Sequence, residues 1–207
     1  MLYRVGKLLS CFVCRVFGRW TVIGRDNIPP RGGVLICANH VSYIDPPALG
    51  AAATRQVHFM AKIELFRTPV LGSLIARVGS FPVRQKTADR AALRKALELL
   101  AAGKVVAVFP EGIRNPDPSN LMPAELGVGM IALRSKAPVI PAALVNTHKL
   151  LPPHAKFFRF CRVKVVFGEP VSLEDLYERG DREAIEEVGK RVMSAIGSLL
   201  EAHRTPD

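Results

Sequence analysis

His40 and Asp45, separated by four residues in Asn39-His40-Val41-Ser42-Tyr43-Ile44-Asp45, are residue types suited to moving a proton. A carboxylate beside an imidazole fixes its tautomer and stabilises the imidazolium, so the histidine can take a proton from a nucleophile. Residues five apart on one continuous helix lie about 140° from each other, so the two meet only across a turn. Asp45 also precedes Pro46-Pro47, where capping a helix would account for it without catalysis. Both roles are open at this point.

Val108-Phe109-Pro110-Glu111-Gly112-Ile113-Arg114 is the second constellation. Pro110 and Gly112 make a turn, and Glu111 and Arg114 are charges emerging beside it. An arginine there suits a phosphate, which its fork holds through paired charge-assisted hydrogen bonds. A surface Glu–Arg pair would use the same residues. Lys62 and Arg84 add cations after two further apolar stretches. Neither the serine-hydrolase pattern G-x-S-x-G nor the phosphate loop G-x4-G-K-[ST] occurs. Gly127-Val-Gly-Met-Ile-Ala132 imitates a dinucleotide loop but follows no strand.

These residues need elements to position them, and the hydrophobic pattern supplies candidates. Gly33–Ala38 reads as a buried strand with His40 just after it, and Asp45 opens a helix as its N-cap. Strands are expected at 57–61, 81–83, 105–109, 139–145 and 163–167. Helices are expected at 69–78, 87–102, 127–135 and 182–202. This alternation predicts an α/β fold: a single layered domain with a mostly parallel central sheet flanked by helices. If the strands share one orientation, His40, Asp45, Lys62, Arg84, Glu111, Gly112 and Arg114 converge on one rim, where open α/β sheets place their ligands.

The 207 residues include 29 Lys+Arg against 18 Asp+Glu, a net charge of +11, which points to an anionic partner. The charge is uneven: residues 1–33 carry +5, residues 172–207 carry −4, and the middle holds +10. In residues 1–20, Leu2, Val5, Leu9, Phe12, Val13, Val16 and Trp20 fall within an arc of about 100° on a helix, opposite Arg4, Lys7, Arg15 and Arg19. Such a helix either packs its apolar side on the protein's own core or lies in the headgroup layer of a membrane. No uncharged apolar run reaches the roughly 18 residues of a membrane span, and the first segment lacks a signal-peptide cleavage pattern. Cys11 and Cys14 have no partner pair at zinc spacing, so no metal is expected, and the four cysteines are expected to be free thiols. The single Trp and three Tyr are scattered and form no stacking platform for nucleic acid.

Asn39-His40-x4-Asp45, Ala61-Lys62-Ile-Glu64-Leu65-Phe66, Gly79-Ser-Phe81-Pro82-Val83-Arg84, Phe109-Pro110-Glu111-Gly112-Ile-Arg114, Ala137-Pro138-Val-Ile-Pro141 and Phe167-Gly168-Glu169-Pro170 occur in this order. Together they resemble the bacterial 1-acyl-sn-glycerol-3-phosphate acyltransferases, over roughly residues 20–200. The resemblance implies acyl transfer from an acyl-CoA or acyl carrier protein thioester to the sn-2 hydroxyl of 1-acyl-glycerol 3-phosphate, a lysophospholipid, giving phosphatidic acid without metal or cofactor. His40 would be the general base and Asp45 its orienting partner. Lys62, Arg114 and Arg84 would hold the acceptor phosphate, with Glu111 and Gly112 shaping the glycerol site. Residues 1–20 would be a membrane-associating helix and 21–207 the acyltransferase domain, peripheral on the cytoplasmic face of an anionic membrane.

Three positions depart from the family pattern: Ile113 replaces the usual Thr, Gln85 stands where an Arg is usual, and Glu125-Leu126 replaces a common basic pair. All three touch acceptor binding, so a relative acting on glycerol 3-phosphate or another lysophospholipid is the first alternative. A basic nucleic-acid binder without catalysis is a distant second.

Overall fold

Strand and helix alternate along the chain: α1 (Leu2–Val16), β1 (Thr21–Ile23), β2 (Val34–Ala38), α2 (Asp45–Ala52), β3 (Val57–Lys62), α3 (Ile63–Phe66), α4 (Leu71–Arg77) and β4 (Phe81–Val83). They continue as α5 (Arg90–Ala101), β5 (Val105–Val108), α6 (Leu126–Ser135), β6 (Val139–Val145), α7 (Thr147–Leu150), β7 (Lys164–Phe167) and α8 (Arg182–His203). The computed structural model describes residues 2–85, 87 and 89–204. Residue 1 of the expected first helix, Ala88 of the expected 87–102 helix and residues 205–207 of the expected domain lie outside the described residues.

The strands form one seven-stranded sheet in the order β1-β7-β6-β2-β5-β3-β4. Ladders from β6 through β2, β5 and β3 to β4 are all parallel. β7 runs antiparallel to β6, and β1 runs with β7. Central β2 is buried along its whole length, as a strand covered on both faces must be. Because side chains alternate across a strand, Val34, Ile36 and Ala38 join Ala48, Leu49 and Ala52 of α2 on one face. Leu35 and Cys37 join Leu100 of α5, Ile131 of α6 and Val188, Val192 and Ile196 of α8 on the other. Helices therefore flank the sheet on both sides.

The cysteines are all free. Burial pushes the Cys37 thiol up, and pushes that of Cys14 up to about 12.

Local chemistry moved some boundaries. The 87–102 helix starts at Arg90, because Asp89 rather than Thr87 caps it, accepting from the amides of Ala91 and Ala92 at 3.0 Å each. Trp20 lies beyond the end of α1, and its amide donates to the Cys14 carbonyl at 3.2 Å. The docking face of α1 is the unexpected feature. Tyr3 donates its hydroxyl to the Gly50 carbonyl at 3.3 Å, Lys7 donates to the Ala53 carbonyl at 2.6 Å, and Cys14 is fully buried. Residues 3, 7 and 14 share one side of a helix, and that side meets α2. The apolar Leu2, Val5, Leu8, Leu9, Phe12 and Val16 face outward and are exposed.

Candidate active site

The four parallel strands β2, β5, β3 and β4 lie side by side, so the turns following them gather along one edge. β2 delivers His40, and the chain then reverses through 41–44 into α2. Asp45 is the first residue of α2 and does not act as its N-cap; Ile44 occupies that position. The carboxylate turns back instead onto the preceding turn. Its Oδ2 accepts from the Val41 and Ser42 amides at 2.7 Å each and meets His40 Nδ1 at 2.8 Å. Of the two roles the sequence left open for Asp45, helix cap and partner of His40, the side chain takes the second, because the tight turn offers nearer donors.

The hydrogen-bond pattern sets the imidazole tautomer. A carboxylate oxygen that takes two amide hydrogens is an acceptor, so Nδ1 carries a hydrogen, and in the neutral ring the lone pair is then on Nε2. The His40 ring stacks on Phe109 with centroids 4.1 Å apart and an interplanar angle of 21°, which restrains its rotation. Asp45 is fully buried and its Oδ1 accepts no protein hydrogen bond.

Glu111 follows β5, the neighbour of β2, and is buried at 2% exposure. Oε1 accepts from the His40 amide at 3.1 Å; Oε2 accepts from Asn115 Nδ2 at 2.6 Å and from the Met122 amide at 3.1 Å. The Asn115 amide donates to the His40 carbonyl at 2.7 Å, so both backbone groups of His40 are held from the β5 turn. Gly112 sits at φ 72°, and a Cβ there would come within 2.7 Å of Glu125 Cγ. The turn therefore requires glycine.

Arg114 lies with its guanidinium carbon 3.9 Å from the centroid of the Tyr43 ring. Tyr43 belongs to the His40–Asp45 turn, so Arg114 is positioned over the same turn as the dyad. The structure thus brings together His40, Asp45, Glu111, Gly112 and Arg114. Lys62, at the end of β3, is half-exposed and 3.8 Å from Glu64. Arg84 is exposed after β4, its amide donating to Asp89 at 2.9 Å. The side chain reaching the site from this strand is that of Gln85, which donates to the Gly112 carbonyl at 2.5 Å.

Sequence reasoning did not single out Asn115, Tyr43 or Phe109 as parts of this arrangement, and named Gln85 only as a departure from the family pattern. Phe109 and Tyr43 stood inside the quoted motifs. Asn115 opens Asn-Pro-Asp-Pro, whose turn-forming composition conceals a buried bracing residue. Among the described residues, no group of three or more His, Cys, Asp or Glu is placed to hold a metal ion.

The sequence profile of the family described as Acyltransferase matches residues 19–145, which contain the whole dyad and the Glu111 turn. The chain is 30% identical over 166 residues to the 1-acyl-sn-glycerol-3-phosphate acyltransferase of Bacillus subtilis, covering 79% of each chain. It is 26% identical to a chloroplast enzyme of the same description from Brassica napus, spanning 81% of this chain and about half of that longer one, 49%. The crystal structure of the 1-acyl-sn-glycerophosphate acyltransferase PlsC from Thermotoga maritima superposes with a TM-score of 0.77 at 27% identity, covering 100% of this chain and 80% of that one.

Proposed function

The chain belongs to the 1-acyl-sn-glycerol-3-phosphate acyltransferase family, and from that premise we propose that it esterifies the sn-2 hydroxyl of 1-acyl-glycerol 3-phosphate to give phosphatidic acid. The acyl donor is an acyl-CoA or acyl carrier protein thioester. The observation that carries this proposal is the 2.8 Å His40–Asp45 contact, which in the neutral ring puts the lone pair on Nε2.

His40 Nε2 takes the hydroxyl proton as the oxygen attacks the thioester carbonyl. The new C–O bond forms, the C–S bond breaks, and the departing sulfur leaves as a thiol with the proton returned by the imidazolium. Asp45 stabilises the cationic ring between those two transfers. Proton transfer and an activated thioester supply the chemistry, and no step calls for a metal or cofactor. Glu111 and Asn115 hold the His40 backbone in place, Gly112 keeps the turn open beside the glycerol, and Arg114 takes the acceptor phosphate. Lys62 and Arg84 extend positive charge along the same edge.

No helix among the described residues is long and apolar enough to cross a membrane. The outward apolar side of α1, with Arg4, Arg15 and Arg19 nearby, supports a peripheral placement on the anionic cytoplasmic face of a membrane, where lysophospholipid and product reside. Gln85 and Ile113 favour a second acceptor as the alternative, because Gln85 spends its amide on Gly112 where a cation would meet phosphate. Labelled acyl transfer by the purified chain, with lysophosphatidic acid, glycerol 3-phosphate and zwitterionic lysolipids offered side by side, tests both. Preference for lysophosphatidic acid is the expected result, and no product from any acceptor would overturn the proposal.

A further inference from the structure

Phe157 and Phe160 are 82% and 71% exposed, the first more so than any apolar side chain of α1. Neither belongs to the site, and the loop carrying them, residues 152–162, is well anchored. The Cys161 amide donates to the Phe17 carbonyl at 3.0 Å, and the Val163 amide to the Gly18 carbonyl at 2.8 Å, so the loop runs beside the end of α1. Phe17 packs between Phe158 and Phe160, with centroids 5.7 and 5.1 Å away. At its base, the Arg159 amide donates to the Leu150 carbonyl at 2.9 Å. The Leu151 carbonyl accepts from Ser42 Oγ at 3.1 Å, and Ser42 is on the turn whose amides hold Asp45.

Charge identifies the occupant. Residues 1–25 and 126–168 contain no Asp or Glu, while Lys156, Arg159 and Arg162 interleave with the exposed phenylalanines, and Arg15 and Arg19 stand at the end of α1. Apolar side chains interleaved with cations, on segments without Asp or Glu, complement a surface that is apolar within and anionic at its edge. A second copy related by a two-fold axis would set these cations against themselves, which disfavours self-association through this face.

We propose that the 152–162 loop is a second membrane-docking limb, inserting Phe157 and Phe160 into an anionic bilayer beside α1 and fixing how the His40 turn faces the lipid. The proposal rests on the reading of the chain as a lipid acyltransferase. Two limbs from different parts of the chain define an orientation that a lone helix, free to roll about its axis, does not. The link through Ser42 places the catalytic turn next to the surface where the acceptor resides.

The test is sedimentation of the full chain with vesicles of phosphatidylcholine containing phosphatidylglycerol, comparing wild type with Phe157→Ser and with Lys156→Glu. A thermal melt of each confirms the fold, which an 82% exposed side chain does not support. Phe157→Ser is expected to lower vesicle partition about tenfold, the scale of burying one phenylalanine. Lys156→Glu is expected to weaken partition into anionic vesicles and leave neutral ones unchanged. Acyl transfer to detergent-dispersed lysophosphatidic acid should be unaffected in both variants, while transfer to vesicle-borne acceptor falls. Unchanged partition in Phe157→Ser would overturn the docking limb and leave the acyltransferase reading standing. A loss of partition with no acyl transfer by any form would support the limb and defeat that reading. Concentration-dependent self-association abolished by Phe157→Ser, with vesicle partition unmoved, would assign the face to a second copy and overturn the proposal.

Discussion

Glu111 holds His40 by its backbone: Oε1 accepts the His40 amide hydrogen at 3.1 Å across 71 positions of sequence. The glutamate of the Phe-Pro-Glu-Gly turn therefore faces into the protein, with both carboxylate oxygens engaged by internal donors. Its contribution in this arrangement is to lock the β5 turn to the end of β2, so that His40 sits beside the cation-bearing turn.

Substituting Glu111 separates positioning from substrate contact. Glu111→Gln replaces one acceptor oxygen with a donor that must face an N–H, at a cost of about 1–3 kcal/mol for a buried unsatisfied group. If Glu111 acts through His40, steady-state kinetics should show kcat falling with little change in acceptor KM. A raised acceptor KM at unchanged kcat would return Glu111 to direct contact with the glycerol.

Arg114 is expected to hold the acceptor phosphate from its stack on Tyr43. Arg114→Ala should raise acceptor KM about 10–100-fold, the value of a charge-assisted hydrogen bond, and Arg114→Lys should recover little of it because the flat, forked guanidinium is lost. Tyr43→Ala should raise KM only a few-fold, on the scale of about 0.5–1 kcal/mol for an exposed cation–π contact. An unchanged KM for lysophosphatidic acid in Arg114→Ala would place the phosphate elsewhere on the rim, with Lys62 and Arg84 next to be tested.

The outward side of α1 makes a prediction that a self-packed helix would not. Leu8→Ser with Phe12→Ser alters side chains that are 69% and 60% exposed. The melting temperature should therefore hold while sedimentation with anionic vesicles weakens. A fall in melting temperature with unchanged vesicle binding would mean that the face serves the fold.

Asp89 provides a pH test of the rim's support. Donation by the Arg84 amide, then by Ala92, holds its carboxyl below the ordinary 3.8. A depressed folded-state value means the stabilisation is complete above the unfolded value and disappears as pH falls through the folded one. Asp89→Ala should cost about 1 kcal/mol at neutral pH, as loss of an N-cap does. Urea titrations should show the gap between variant and wild type narrowing below about pH 4. A gap independent of pH would mean that the charge of Asp89 does not hold the Arg84 turn.

The sheet and the dyad were legible because their signals are local and strong. Val34–Ala38 and Val139–Val145 are continuous apolar runs, and the quoted motifs stand at strand ends. β1 was not legible: Thr21–Ile23 is three residues long and only partly buried, and its pairing with β7 gives it strand character. α3 and α7 have four residues each, too few to show a helical period. Periodicity located the apolar side of α1 but not what it faces, since Tyr3 and Lys7 dock through carbonyls of α2 and its C-cap, which no hydrophobic pattern records. The inward turn of Glu111 was hidden for a related reason. Its partners, the amides of His40 and Met122, are backbone groups and leave no mark in the sequence.

The central claim is that His40 removes the proton of the acceptor hydroxyl. Its most direct test is labelled acyl transfer to lysophosphatidic acid by His40→Ala, with folding verified by circular dichroism. Loss of a positioned general base predicts turnover reduced about 10²–10⁴-fold with the melt cooperative. Turnover near that of the wild type from a folded His40→Ala protein would contradict the account.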